Sequence, residues 1–483
     1  MPPFQKERVT MGIFDKIGKK KPEEEKQEEF VAAKTPEELK KERASSFVMG
    51  VEYIMQKEDA KEIVVIGKLD GRAVVGNTVT VSNPGRINKD KSEVQITAIR
   101  TTDGDVREVS GGSAELHLLL QEERNFRIGD VLYTADVPAE STMHAYAKAL
   151  TEAYVIKRQL ELSDQELEQL SVSDLQEMLR FHAFLQDRFQ SEQGPETAIP
   201  RERVERLEKC LAKRILEEDY IYCIFSKKTG EPYLYSRTTS DTNGGYHCSA
   251  PTIRIFTEEY RSRMQGVYEG GRYEVKRIEN GSKGKGIYNF LGLAFYLNGA
   301  EGVEVVSDDT ILAASLLVEK PDESAITENG IPVSNPDLMK WLLMLGQMEK
   351  ADLETEDGKI IYTLYYKFMA SQATKAKFLV PIHAQGEMPE ADEEGILQVE
   401  DGTRFEIPCV PGKHGRKAIF IFTDWRHLYG TINEKCEAVV ETLDSLINSF
   451  DCIINSGDYS KGGGYISLST YNEMDEIASS MGH

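Results

Sequence analysis

Four side chains that could do chemistry stand together at the end of an apolar run. Thr423, Asp424, Arg426 and His427 directly follow Ala418–Phe422. A hydroxyl, a carboxylate and an imidazole are the parts of a nucleophile with its base and orienting acid. However, the sequence contains no G-x-S-x-G turn to present the hydroxyl, and no spacing fixes a triad. The simpler interpretation is favoured, in which Asp424 caps the segment that follows it.

A second polar step ends the apolar stretch Asp451–Ile454, where Asn455 and Asp458 follow. Ligands of open α/β sheets bind beyond the carboxyl ends of the strands, so we expect both steps to share one edge. Aromatic side chains grouped with arginine favour protein contacts. The sequence therefore predicts an interaction rim, with no catalytic residue and no metal or cofactor site, made of Thr423, Asp424, Trp425, Arg426, His427, Tyr429, Asn455 and Asp458.

These steps require buried strands over Ala418–Phe422 and Asp451–Ile454, and the spacing between them predicts an amphipathic helix over 434–448. A fainter copy of this arrangement lies earlier in the chain. The tetrad Ile255-Phe256-Thr257-Glu258 parallels Ile421-Phe422-Thr423-Asp424. The copy then continues through a longer link, in which we expect an inserted hairpin over 272–280. Its residues equivalent to the rim are Thr257, Glu258 and Asp308.

The better copy follows a definite order of features. The run Ser334-Asn335-Pro336-Asp337 is expected to cap a helix that has proline at its start. A strand then carries Val380-Pro381, a further strand ends at Pro408, and a turn follows at Asn455-Ser456-Gly457. With the Phe-Thr-acid step, this order resembles the SseB N-terminal domain family, although Ser456 stands where the family usually has proline. The resemblance implies two SseB-like α/β domains, over 219–320 and 331–480. It implies no reaction whose residues could be carried over.

Residues 46–137 read as a small closed β-barrel, because short β-branched strands alternate with turns about every ten residues. The order of Gly67, Leu69-Asp70-Gly71, Val75–Val79 and Ile128–Leu132 resembles the second-domain barrel of translation GTPases of the elongation factor Tu type. Asn77 replaces the usual aspartate of that family. The chain has no phosphate-binding G-x-x-x-x-G-K-[ST] loop, so nucleotide hydrolysis is not expected.

Composition limits the classes of partner. The 483 residues predict several domains, and a net charge of −23 disfavours broad binding to nucleic acid or acidic membranes. Six scattered cysteines without C-x-x-C spacing indicate a reducing, cytoplasmic setting. No apolar run is long enough to span a membrane. Residues 1–45 read as a charged, disordered tail, in which Met11–Lys21 is either solvated or a weak membrane-touching or partner-binding helix.

The predicted architecture is therefore a small all-β barrel, a helical connector over 138–218 and two α/β domains. The leading hypothesis is a non-enzymatic, cytoplasmic protein-interaction protein of the SseB type, whose partners are unidentified proteins. One alternative is a translation-associated factor that uses its barrel on the ribosome or tRNA. Another is an enzyme with its site at Thr423, Asp424 and His427.

Overall fold

The structure is a computed structural model. It describes residues 46–56, 62–84, 91–120, 126–157, 161–192, 201–240, 245–268, 270–306, 310–321, 332–385, 404–432 and 436–481. The predicted charged tail over 1–45 lies outside these residues.

The first part of the described chain is a closed six-stranded barrel, as its strand spacing predicted. The barrel strands pair in the order β1-β8-β4-β5-β7-β3, and pairing of β3 with β1 closes the barrel. Two further strands lie outside this ring, β2 paired with β3 and β6 paired with β5. The barrel encloses its own apolar core. The strands are β1 Phe47–Gly50, β2 Tyr53–Gln56, β3 Glu62–Val74, β4 Thr78–Ser82, β5 Ser92–Thr101, β6 Gly104–Val106, β7 Glu108–Leu120 and β8 Val131–Tyr133.

Helices follow the barrel, as predicted. A Cβ atom at Gly50 would lie 2.2 Å from the carbonyl oxygen of Ala145, so glycine lets the first helix pack directly on the barrel. Helix α2 begins at a capping box formed by Ser163 and Glu166. The helices are α1 Ala139–Leu150, continued by a π-helix over Thr151–Ile156, then α2 Asp164–Leu167, α3 Val172–Glu192 and α4 Arg201–Glu217.

The next strands form a mixed sheet, here called the first sheet, in the order β13-β9-β12-β14-β15. Strands β12 and β14 are parallel, and every other pair in the sheet is antiparallel. The elements are β9 Tyr220–Ser226, β10 Thr238–Ser240, β11 Tyr246–Cys248, β12 Thr252–Phe256, α5 Arg261–Tyr268, β13 Tyr273–Glu279, α6 Gly286–Tyr296, β14 Gly302–Val305, β15 Thr310–Ala313 and α7 Ala314–Leu317.

The hairpin predicted over 272–280 is wrong. This segment is the single strand β13, which pairs with β9 along its whole length, from Tyr273 opposite Ser226 to Glu279 opposite Tyr220. Apolar and charged residues alternate along β13. That pattern suits a half-covered strand at the edge of a sheet as well as it suits a hairpin arm, and the partner strand lies far away in sequence.

The last part of the chain builds a second sheet from two ladders joined at one point. Main-chain hydrogen bonds of 2.9 Å run both ways between Leu379 and Phe422 and connect the ladder of β16 to that of β19. The elements are α8 Pro336–Gln347, α9 Glu356–Ala373, β16 Lys377–Gln385, β17 Arg404–Glu406, β18 Cys409–Pro411, β19 Lys417–Ile421, α10 Trp425–Thr431, β20 Glu437–Thr442, α11 Leu443–Ile447, β21 Asp451–Ile454, β22 Gly464–Ile466 and α12 Leu468–Met481.

The helix predicted over 434–448 is also wrong. Residues 437–442 are strand β20, which pairs with β16, and the helix α11 covers only Leu443–Ile447. The Val439-Val440 pair and Thr442 are β-branched and fit a pleated, half-buried surface. Pairing with β16 therefore overrides the weak helical spacing.

The two ladders have the orders β17-β16-β20 and β18-β19-β21-β22. With β17 and β18 set aside, and across the Leu379–Phe422 bridge, the remaining strands run β20-β16-β19-β21-β22, which matches the order and the strand directions of the first sheet. Strands β19 and β21 are the parallel pair of the second sheet, as β12 and β14 are in the first sheet. Helix α8 is buried along its length from Leu338 to Gln347. It contacts residues next to both sheets, since Gln347 bonds to Leu234 and the Met339 sulfur accepts from Asn455 Nδ2. The apolar core around α8 is continuous with the core formed by the helices that follow the barrel.

Candidate functional site

The polar step after β19 begins a helix, and Asp424 is its N-cap, as the sequence predicted. The carboxylate Oδ1 of Asp424 accepts a hydrogen bond of 2.9 Å from the main-chain N–H of His427. This bond satisfies one of the N–H groups that have no partner within the first turn of a helix. The Asp424 side chain therefore stabilises the first turn of α10.

Asn455 holds the two strand ends together. Its Oδ1 accepts hydrogen bonds from the main-chain N–H of Thr423 at 3.1 Å and from the Thr423 hydroxyl at 3.2 Å. Its Nδ2 donates to the carbonyl oxygen of Gly462 at 3.1 Å. The side chain is buried and its backbone has a φ of 53°, which asparagine tolerates better than most residues. Asn455 thus links the end of β19 to the turn after β21.

Thr423, Asp424 and His427 are in contact, but not as a nucleophile and its base. The Thr423 hydroxyl donates to Asp424 Oδ2 at 2.8 Å. The same Oδ2 lies 2.7 Å from His427 Nδ1, and the hydroxyl lies 3.4 Å from that nitrogen. In a serine-protease-like triad, the acid and the hydroxyl contact different nitrogens of the imidazole. Here both face Nδ1, and Thr423 has no exposed surface at all.

The Asp424 carboxylate is held in its charged form. Burial by itself raises its pKa, but the hydrogen bond and the charge of His427, together with the bond from Thr423, outweigh burial and place the pKa below its ordinary value. The carboxylate is thus a fixed hydrogen-bond acceptor at neutral pH. It is suited to positioning the start of α10 rather than to exchanging protons.

The outer residues of the predicted rim lie on α10. The rings of Trp425 and Tyr429 are stacked, with centroids 5.6 Å apart. Arg426 is exposed and donates to Glu231 Oε1 at 3.1 Å, in the turn that follows β9 of the first sheet. Asp458 is also exposed and caps the short turn over Tyr459–Lys461. The structure therefore divides the predicted rim into a buried network (Thr423, Asp424, Asn455) and an outer group (Trp425, Arg426, His427, Tyr429, Asp458). Within the outer group Arg426 and Asp458 are exposed, and the other three side chains are half-buried.

The equivalent step of the first sheet lacks the buried network. The Glu258 carboxylate is exposed and accepts a bond of 2.6 Å from the hydroxyl of Tyr222, which lowers the pKa of Glu258. Thr257 makes no side-chain capping bond. Val306 takes the place of Asn455, since its N–H donates to Ile255 at 2.8 Å as that of Asn455 donates to Ile421. Asp308 lies outside the described residues.

One residue of the site was assigned a different role from the sequence. Asn335 precedes α8, where the sequence suggested a capping side chain, but its side chain makes no such bond. Instead Nδ2 donates to the carbonyl oxygens of Thr423 at 2.8 Å and Lys377 at 2.7 Å. An asparagine before Pro336 indicated a capping residue, but the actual partners of its side chain are distant in sequence and could not be predicted from it.

Nothing in the described part of the chain suggests a bound metal. Among those residues, no three histidine, cysteine, aspartate or glutamate side chains are arranged to hold a metal ion. Within the same ranges, no helix is long and apolar enough to cross a membrane.

Comparison with known families finds a match in the stretch that contains Thr423, Asp424 and α10. Residues 366–447 match the SseB protein N-terminal domain. The match covers 82 of the 483 residues. The matched stretch of the SseB domain runs from within α9 to the end of α11 and includes Thr423, Asp424 and all of α10. Asn455 lies beyond its end.

Other comparisons add little to the SseB match. Two solved structures of translation elongation factor SelB from Methanococcus maripaludis, one without ligand and one with the GTP analogue GppNHp, are 19% identical to the chain over the aligned part. The alignment covers 19% of this chain and 20% of SelB, with a TM-score of 0.17. No curated protein matches the chain.

Proposed function

We propose that this protein is a non-catalytic protein-interaction protein of the SseB type, which binds a partner protein through the outer face of α10. One observation carries the proposal. The groups that could do chemistry at the step, the Thr423 hydroxyl and the Asp424 carboxylate, are buried and bonded to each other, to Asn455 and to the helix they begin. The outer face of α10 combines the exposed Arg426 with two half-buried aromatic side chains, Trp425 and Tyr429, and such a combination suits protein recognition.

We further propose that the chain holds two SseB-like units, over 219–320 and 331–480, behind a barrel over 46–137 and a helical connector over 138–218. The common strand order and directions of the two sheets support this division. The matching main-chain bonds of Val306 and Asn455 support it as well. The first unit lacks the buried network, so the two units differ at the surface that a partner would contact.

Several contacts tie the proposed units together near α10. Besides the Arg426–Glu231 pair, Gln347 donates to the carbonyl oxygen of Leu234 at 2.6 Å and accepts from its N–H at 3.2 Å. A partner bound at α10 would therefore also meet the turn that contains Glu231. All six cysteines are free thiols, which supports a reducing compartment such as the cytoplasm.

The test compares two stacked aromatic pairs of the proposed second unit, over 331–480. Trp425 and Tyr429 stack on α10, and Tyr362 and Tyr366 stack on α9 with centroids 6.4 Å apart. Full-length wild type, W425A/Y429A and Y362A/Y366A are each cross-linked in cells of the source organism, and bound proteins are quantified by mass spectrometry. We expect a partner to be recovered with wild type and Y362A/Y366A but lost with W425A/Y429A.

The proposal fails if both double variants retain the same proteins in the same amounts, because α10 would then make no contact with a partner. It also fails if both lose them equally, since the loss would then reflect a general effect on the domain. Circular dichroism of the purified variants separates a local surface change from unfolding.

A further inference from the structure

A large cleft separates the barrel from the helices that follow it. Its volume is about 1180 Å³, and its walls come from β1 and β3, from α1 with the π-helix, from α3, and from Glu259 and Tyr260 near α5. Pockets for drug-sized ligands usually measure about 300–1,000 Å³, so this cleft is large enough for a peptide segment. Its apolar lining includes Val48, Leu69 and Phe181.

The cleft is acidic. Seven carboxylates line it against three lysine or arginine side chains. Glu52 is buried on the barrel side of the cleft, and burial together with the nearby charge of Glu152 raises its pKa. A cation brought into the cleft would offset the cost of burying these charges. The lining therefore suits a ligand that combines positive charge with apolar side chains.

The chain itself carries such a segment. Residues 11–21 read MGIFDKIGKKK, with four lysines against one aspartate and with Ile13, Phe14 and Ile17 as apolar residues. The rest of the chain is strongly acidic, so this segment is complementary to the cleft in charge as well as in apolar character.

The tether between the segment and the cleft has a suitable length. The described chain starts at Ser46, and β1 lines the cleft with Val48 and Gly50. The 24 residues at 22–45 reach at most about 80 Å, so the segment is within reach of a cleft lined by the strand that follows them. Covalent linkage raises the local concentration of the segment at its site, so even a weak contact would be populated.

We infer that residues 11–21 bind in the cleft between the barrel and α1, with their lysines against its carboxylates and their apolar side chains against Leu69 and Phe181. In this state residues 11–21 cover the acidic surface of the cleft. A basic partner segment or an acidic membrane would have to displace or draw away this occupant. This site is separate from the surface of α10.

The test uses two full-length variants with equal changes in charge. The first reverses the lysines of the segment (K16E/K19E/K20E/K21E), and the matched control reverses four lysines of the tether (K26E/K34E/K40E/K41E). Zero-length carbodiimide cross-linking with mass spectrometry maps the contacts of the lysines, and hydrogen exchange reports protection of 139–156. We expect cross-links from the segment to Glu140, Glu152 or Glu177 in wild type and in the control.

In the first variant, hydrogen exchange over 139–156 should become about tenfold faster, while the control should exchange as wild type does. About 1 M salt should also speed exchange in wild type, since it screens charges beyond about 3 Å. Reversing the cleft as well, with E140K/E177K added to the first variant, should restore protection. The inference is overturned if the tether lysines cross-link to the cleft as often as the segment, or if protection is the same in all variants.

A membrane is the competing occupant of the segment. Vesicles with acidic phospholipids are added to the wild type under the same conditions. If residues 11–21 cross-link to no residue of the protein and the protein co-sediments with the vesicles, the cleft is not the site of the segment and the inference fails. If the cross-links to the cleft persist with vesicles present, the inference stands.

Discussion

Replacing Asn455 by alanine should loosen the joint between β19 and α10 more than any other loss of a single polar side chain in the network. The change leaves the buried N–H of Thr423 without its acceptor, which costs about 1–3 kcal/mol. It also places an alanine at a φ of 53°, which costs about 1–2 kcal/mol more. The total is about 2–5 kcal/mol, and Asn455→Gly should avoid the second part, because glycine accepts this φ without strain.

Hydrogen exchange with mass spectrometry is the suitable assay, because a chain with several cores does not unfold in a single two-state step. Peptides covering 417–431 should exchange at least about 30-fold faster in Asn455→Ala than in wild type, at about 1.4 kcal/mol per tenfold. Asn455→Gly should lie between them. Asn448→Ala, an exposed asparagine after α11, is the control and should change nothing in these peptides. Equal exchange in the alanine and glycine variants would refute the strain argument, and wild-type exchange in both would refute the role of Asn455.

Three further outcomes follow from the structure. The pKa of Asp424 is lowered in the folded state, so its stabilising effect is present above the ordinary pKa and is lost as pH falls through the folded pKa. Protection of the amides over 423–427, measured relative to intrinsic exchange at each pH, should therefore fall below about pH 4, and Asp424→Asn should flatten this fall. Gly299→Ala would place a Cβ 2.1 Å from the carbonyl oxygen of Pro336, the first residue of α8. The control Gly284→Ala shares the positive φ, but its Cβ would meet no atom within 4 Å. Gly299→Ala should therefore lower the thermal unfolding temperature more than the control does, by an amount equivalent to about 1–3 kcal/mol of unfolding free energy. Arg272 donates two hydrogen bonds of 2.8 Å to Asp352, and both side chains are partly exposed. A double-mutant cycle of Arg272→Met and Asp352→Asn should therefore give a coupling of only about 0.5–1 kcal/mol, smaller at high salt, and zero coupling at low salt would contradict the pair.

Features with local signals could be predicted from the order of residue types alone. Strands β12, β16, β19 and β21 are short apolar runs bounded by polar turns, and each formed where predicted. The helix that begins at Pro336 was set by proline at its first turn. Asp424 caps α10 because an N-cap bond joins residues only three apart.

Features that depend on partners far away in the chain could not be predicted in this way. Residues 437–442 became a strand because β16 lies beside them, although their spacing also suited a helix. Asn455 looked like a turn residue, yet it accepts bonds from Thr423, 32 positions earlier. Arg426 meets Glu231, 195 positions away. Hydrogen bonds of this range form only after the sheets have packed, so no local pattern of residue types can specify them.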